Sequence, residues 1–234
     1  MIDIMNYQYS YLIGNLILFV PWLILFAWRK DLRHKIFIMS LIFGLFGPIS
    51  QLFYLRDYWH PELFNGWAIG IEDFLFGFFI GGISCAIYEE LFGLKYSKRH
   101  IKNHKVWMGY FALVGGVIML IGNLLIGFNS IYVSIFVFLI FGMIIIKIRH
   151  DLLKDAIISG LLIAAVMFIA YLIFIPMFPG IIQNWWKLNN ISGVLILGVP
   201  LEELLWAATW GFVAGPLYEF LNGLRFRLSP KSAR

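Results

Sequence analysis

The sequence predicts an all-α integral membrane protein, and three observations carry that reading. The 234 residues are 61% hydrophobic and only 13% charged, where soluble domains carry about 25% charged residues. Seven apolar runs are each long enough to cross a bilayer as a helix. The chain also resembles itself. Placing Glu72 on Glu202 and advancing without a gap pairs Asp73 with Glu203, Gly81 with Gly211, Tyr88 with Tyr218, Glu89 with Glu219, Leu91 with Leu221 and Gly93-Leu94 with Gly223-Leu224. With a second offset, Arg29-Lys30-Asp31-Leu32 pairs with Arg149-His150-Asp151-Leu152.

The expected spans are about Tyr11–Trp28, Ile36–Leu55, Trp67–Phe92, Val106–Gly127, Ile131–Ile148, Ala156–Phe178 and Gly193–Leu221. Pro21 and the Gly47-Pro48 pair are expected to kink the first two. Arg29, Lys30, Arg33 and Lys35 follow the first span, and Lys95, Lys98, Arg99, Lys102 and Lys105 follow the third. Lys147, Arg149 and Lys154 follow the fifth, and Arg225, Arg227, Lys231 and Arg234 the seventh. In a seven-span chain these segments share one side, and only Arg56 and Lys187 fall on the other. The positive-inside rule then puts the N-terminus outside and the C-terminus in the cytoplasm. The net charge of +5 is thereby a topology signal, and no nucleic-acid partner is expected. Met1-Ile2-Asp3 lacks a basic start, so no cleavable leader is expected.

One domain over 1–234 is expected: internal repeat 1 over about 7–95, a linker helix over about 106–127 and internal repeat 2 over about 129–225. Three spans per repeat plus one linker (3+1+3) make the repeats parallel, related by an axis along the membrane normal. Gly77, Gly81 and Cys85 recur every four residues, as do Ala207, Gly211 and Gly215. Such ridges let backbones approach in lipid, so the third and seventh spans are expected to touch along them.

Carboxylates inside a span are costly and point to function. Glu72, Asp73, Glu202 and Glu203 stand in matching places of the two repeats. Neighbours on a helix point about 100° apart, so Glu72 and Glu202 form one related pair and Asp73 and Glu203 another. A purely structural role, with carboxyls locking the helix packing, is the bland alternative. Phe76, Trp206 and Trp210 accompany the carboxylates, and rings facing a cavity stabilise a cation. Trp59, Trp185 and Trp186 read as interfacial belt residues. Tyr88, Glu89, Tyr218 and Glu219 read as helix ends pairing with the basic loops.

The remaining chemistry is excluded by inventory. Cys85 is the one cysteine, which rules out an intrachain disulfide. The five histidines show no metal-ligand spacing, so no metal is expected. No Gly-x-Gly-x-x-Gly follows a strand-like run, and no dinucleotide or flavin cofactor is expected.

Pro200-Leu201-Glu202-Glu203-Leu204-Leu205-Trp206, with Tyr218-Glu219 after it, resembles the Pro-x-Glu-Glu/Asp motif of the membrane lycopene cyclase domain family. That family includes the heterodimeric bacterial, archaeal and fungal-type carotenoid cyclases. The chain looks like its fused two-repeat form, although Gly70-Ile71-Glu72-Asp73 has Gly where the family has Pro. The resemblance implies a cofactor-independent, acid-initiated cyclisation of a linear carotenoid or related polyprenoid. It implies Glu202 and Glu72 as first candidates for catalysis, with Glu203 and Asp73 next, and Pro200, Phe76, Trp206 and Trp210 at the substrate. It also implies a lipid-soluble substrate taken from membrane lipid, a multi-pass place in a prokaryotic plasma membrane, and room for a homo-oligomer. The alternative from another class is a small transporter using the carboxylates for proton coupling.

Overall fold

The computed structural model describes residues 7–97 and 101–228. Met1-Ile2-Asp3 and the basic-loop residues Lys98, Arg99, Lys231 and Arg234 lie outside the described residues. The fold is mostly helical: α1 (Ser10–Trp28), α2 (Arg33–Asp57), α3 (Ile71–Ser84), α4 (Ile87–Phe92), α5 (Trp107–Met119), α6 (Ser130–Ile148), α7 (Leu153–Met177), α8 (Ile181–Trp185) and α9 (Leu201–Asn222). Two short antiparallel pairs complete it. One joins β1 (Leu94–Tyr96) to β4 (Phe226–Leu228), and the other joins β2 (Leu195–Ile196) to β3 (Val199–Pro200).

Among the described residues, six stretches are long and apolar enough to cross a membrane: Ser10–Trp28, Arg33–Asp57, Ile71–Phe92, Trp107–Leu125, Ser130–Ile148 and His150–Met177. The chain is a multi-pass integral membrane protein. Its outer faces carry exposed Leu16, Ile24, Leu45, Leu113 and Leu161, side chains that only lipid solvates well. α9 is long enough to span at 22 residues and carries Glu202, Glu203 and Glu219, but it does not face lipid as the other six do. It is central instead, with Ala207, Ala214 and Phe220 fully buried.

The last expected span, Gly193–Leu221, is corrected at its start. Residues 193–200 are not helical and include the β2–β3 hairpin, so Glu202 and Glu203 stand in the first turn of α9. The reason is local. Gly198 has φ +89°, a conformation glycine adopts without strain, and Pro200 has no N–H to donate to a helical turn. The third span is shortened in the same way, since α3 begins only at Ile71. The carboxylates therefore sit at one end of the bundle and not deep in a helix.

The glycine ridges also face elsewhere than expected. A Cβ on Gly77 would collide with the Phe43 carbonyl of α2, and one on Gly211 would come within 2.6 Å of the Ser159 carbonyl of α7. Each ridge packs α3 on α2 or α9 on α7, inside its own half of the chain. The helices α3 and α9 meet through aromatics: Trp210 Nε1 donates to Ser84 Oγ at 3.0 Å, and Phe76 lies 5.9 Å from Trp206. Ring edges fill a wider gap than a glycine seam leaves, so the two halves stand apart around a hollow.

At the basic end of the bundle, matching contacts recur in the two halves. Arg29 Nη2 donates to the Leu94 carbonyl at 2.7 Å, and Arg149 Nη2 donates to the Leu224 carbonyl at 2.8 Å. Each arginine also holds the aspartate two residues on, Asp31 or Asp151. The Arg29 hydrogen bond holds the Asp31 carboxyl below its ordinary range. Between them Glu89 and Glu219 pair with a basic residue of the segment after the first span as expected, but with one buried in α2. Both accept from the buried Lys35 ammonium, at 2.7 Å for Glu219, and Tyr96 Oη donates to Glu219 at 2.5 Å. Lys35 is only 2% exposed, so it serves as a buried counter-ion rather than a loop charge.

Removing one member of a buried ion group leaves an uncompensated charge, at a cost of about 3–5 kcal/mol. Lys35→Met should therefore lower the thermal unfolding midpoint of the purified protein sharply. Lys30→Met, an exposed neighbour, should leave it within a degree or two of wild type, on the order of the small surface effect.

Candidate active site

A cavity of about 360 Å³ lies between the two halves, toward the small end of the roughly 300–1,000 Å³ of ligand pockets. Its lining is apolar and aromatic, drawn from α1, α2, α3, α5, α6, α7 and α9 and from the short α8 segment. Two carboxylates reach it, Asp73 and Glu203.

Both owe their place to a helix start. Asp73 is three residues past Gly70, and its Oδ2 accepts from the Gly70 N–H at 2.8 Å, as a capping carboxylate does. Glu203 follows Pro200, whose φ of −57° leads directly into a helix. The first-turn N–H groups of each helix favour negative charge there.

Beyond that the two sites differ. Glu203 Oε1 accepts from Tyr58 Oη at 2.5 Å and from Trp186 Nε1 at 2.8 Å. Asp73 Oδ1 is buried beside the Tyr11 hydroxyl, and among the described residues neither atom has a hydrogen bond of good geometry. Among the described residues, neither carboxylate is paired with a lysine or arginine.

Glu72 and Glu202 lie outside the cavity lining. Glu72 Oε1 accepts from the Phe64 N–H at 2.8 Å, and Glu202 Oε1 accepts from the Ser192 N–H at 2.9 Å and from Tyr132 Oη at 2.7 Å. Each pins the preceding loop onto its helix. Pro200 is buried in the β2–β3 pair and does not line the cavity.

Phe76, Trp206 and Trp210 do line it. Trp206 and Trp210 stack at 5.7 Å and 5°, Trp210 meets Phe43 edge-on at 4.5 Å, and Trp206 Nε1 donates to Tyr54 Oη at 3.0 Å. The belt reading of Trp59, Trp185 and Trp186 is corrected. Trp185 and Trp186 are 2% and 4% exposed, and all three line the cavity beside Tyr11 and Tyr171. A tryptophan at a span end is read alike for an interface and for a cavity mouth, and only packing separates the two. Tyr11, Tyr54, Tyr58 and Tyr171 were not singled out in the sequence. Their one signal is a hydroxyl within or beside an otherwise apolar run, which needs a partner once buried.

Fold and site together define a multi-pass membrane protein with a buried, aromatic, carboxylate-bearing cavity. Residues 129–221, which hold α6, α7, nearly all of α9 and both Glu202 and Glu203, match the family model described as lycopene cyclase. The match supports the membrane lycopene cyclase domain family for this chain. No curated protein and no solved structure matches it.

A hydrogen bond to a charged group contributes about 1.5–3 kcal/mol, so its loss should speed local exchange roughly tenfold or more. Glu202→Leu should accelerate hydrogen exchange of the Ser192 amide by that factor, read by mass spectrometry in detergent. Glu203→Gln, at a residue whose carboxyl accepts from Tyr58 and Trp186 and not from Ser192, should leave the Ser192 amide protected.

Proposed function

We propose that this protein cyclises the end group of a linear carotenoid or related polyprenoid by acid catalysis inside the membrane. The single observation behind the reading is the pair Asp73 and Glu203, two cation-free carboxylates at one apolar cavity, with Glu203 inside the lycopene cyclase match. An aromatic lining suits a hydrocarbon substrate and offers the transport reading no polar path.

In the proposed reaction Asp73 delivers a proton to the terminal double bond from its Oδ1. The resulting carbocation is attacked by a second double bond, forming the ring C–C bond. The ring faces of Phe76, Trp206 and Trp210 stabilise the cation, and Glu203, held as an acceptor by Tyr58 and Trp186, supplies the opposite charge. Loss of a neighbouring proton to a carboxylate completes an isomerisation in which no atom or electron is gained or lost overall. Protonating an alkene demands much of a carboxylic acid, so most of the rate must come from this cation stabilisation. Glu72 and Glu202, the first candidates by resemblance, act in this reading as loop anchors that hold the helix starts.

We read α9 as the seventh span, giving the 3+1+3 layout of two repeats with α5 as linker. The recurring Arg29–Leu94 and Arg149–Leu224 contacts support it. The outside N-terminus and cytoplasmic C-terminus rest on the loop charges.

General acid or base catalysis contributes typically 10²–10⁴-fold. Expressed in lycopene-accumulating bacteria, the wild type should yield cyclised carotenoid. Asp73→Asn and Glu203→Gln should reduce that yield by about a hundredfold or more at unchanged protein level. Glu202→Gln should keep activity per folded molecule. Unchanged lycopene from well-expressed wild type would sink the reaction, and full activity in both Asp73→Asn and Glu203→Gln would sink the assignment.

A further inference from the structure

The cavity is not closed on all sides, and its open side can be located. Of all its lining residues, those exposed on the outer surface are Phe46 and Ile49 of α2 and Ala112 of α5. Every other helix presents only buried or half-buried side chains to the cavity. The exposed rim thus lies along one seam, between α2 and α5.

The way α5 is held explains the opening. Toward one end, Phe111 stacks on Phe141 at 4.5 Å, and Trp107 meets Phe220 edge-on at 6.0 Å. Past its other end, the π-helical turn Leu120–Leu125 presents Asn123, whose Nδ2 donates to Asp57 at the end of α2 and to the Phe128 carbonyl. Between these anchors the cavity-facing surface of α5 is Ala112, Gly115, Gly116 and Met119. A Cβ built on Gly116 meets nothing within 4 Å. A helix fixed at both ends with small residues between leaves a window at mid-height.

We propose that the substrate's hydrocarbon chain enters from the bilayer through this window between α2 and α5, with Phe46, Ile49, Ala112 and Gly116 as its rim. The proposal rests on reading the cavity as the site of a polyprenoid end group. At about 360 Å³ the cavity holds an end of such a molecule and not its length. The remaining chain must leave through an apolar opening, and the window is continuous with both the cavity and the lipid. Each rim side chain is apolar, so a polyene crossing it leaves no polar group unsatisfied.

The test is photolabelling of the full-length protein in phospholipid vesicles with a long-chain alkyl aryl-diazirine dissolved in the lipid. Labelled residues are mapped by mass spectrometry, and lycopene conversion is measured in parallel. In the wild type, interior Phe138 and Trp206 should be labelled as well as the lipid-facing Leu113. Gly116→Trp, and separately Ala112→Trp, should cut interior labelling and conversion roughly tenfold, equivalent to about 1.4 kcal/mol on the barrier to passage. Labelling at Leu113 should persist and show that the fold is intact. Phe46→Ala should raise interior labelling. Interior labelling that is unchanged in both tryptophan variants, or absent in the wild type, would overturn the window. Window-dependent labelling without any conversion of lycopene would leave the window standing and overturn the proposed reaction instead. Conversion with window-independent labelling would do the reverse.

Discussion

A carboxylate taken out of water must find donors, find a cation or hold a proton, and this constraint organises the molecule. Six buried carboxylates, Glu72, Asp73, Glu89, Asp155, Glu202 and Glu219, lie at or within a percent of full burial. At the basic end the solution is a cation: Lys35 enters the bundle and bridges Glu89 and Glu219 across the two halves. At the opposite end, among the described residues, no lysine or arginine pairs with the acids, and they are met by backbone N–H groups before the helix starts and by tyrosine and tryptophan donors. The halves are thus clamped at one end by charge and held open at the other by rings.

That asymmetry is what turns a helical bundle into a site. Where glycine ridges meet backbone, as Gly77 does on α2 and Gly211 on α7, no space is left. Between the halves, the contact of α3 with α9 is made by Phe76, Trp206 and Trp210, whose flat faces border a hollow. The same carboxylates without the hollow would be packing devices. Beside it they face whatever enters, without the lysine that neutralises their counterparts at the basic end.

Much of this was legible in the sequence. Apolar run length located the six span-length stretches from α1 to α7 to within a few residues, because hydrocarbon burial leaves little choice of element, but not the break between α3 and α4 at Cys85-Ala86. Self-comparison paired the residues that later proved to make matching contacts, Arg29 with Arg149 and Leu94 with Leu224. The start of α9 is not legible, because the apolar run hides the break and its markers, Gly193, Gly198 and Pro200, also occur inside membrane spans. Lys35 was placed in a loop because a lysine two residues into a helix looks the same whether it points to solvent or into the bundle. The tryptophans at 185 and 186 read as belt residues for a similar reason. Burial of long polar side chains is decided by what packs opposite, and one strand of sequence does not state it.

Related positions in the two halves have also diverged where chemistry would require it. Position 35 is lysine, while Asp155 stands at the corresponding place under the offset that pairs Arg29 with Arg149. The two cannot both seek anionic partners: Lys35 takes Glu89 and Glu219, and Asp155 accepts from Ser159 Oγ at 2.9 Å. At the opposite end, among the described residues, Asp73 Oδ1 has no hydrogen bond of good geometry, while Glu203 is gripped by Tyr58 and Trp186. A symmetric pair would hold two equivalent groups. An acid-initiated cyclisation needs one group that releases a proton and another that stays an acceptor through the cationic stage. The two carboxylates at one cavity differ in their donors, and that difference gives each a different part in the proposed reaction.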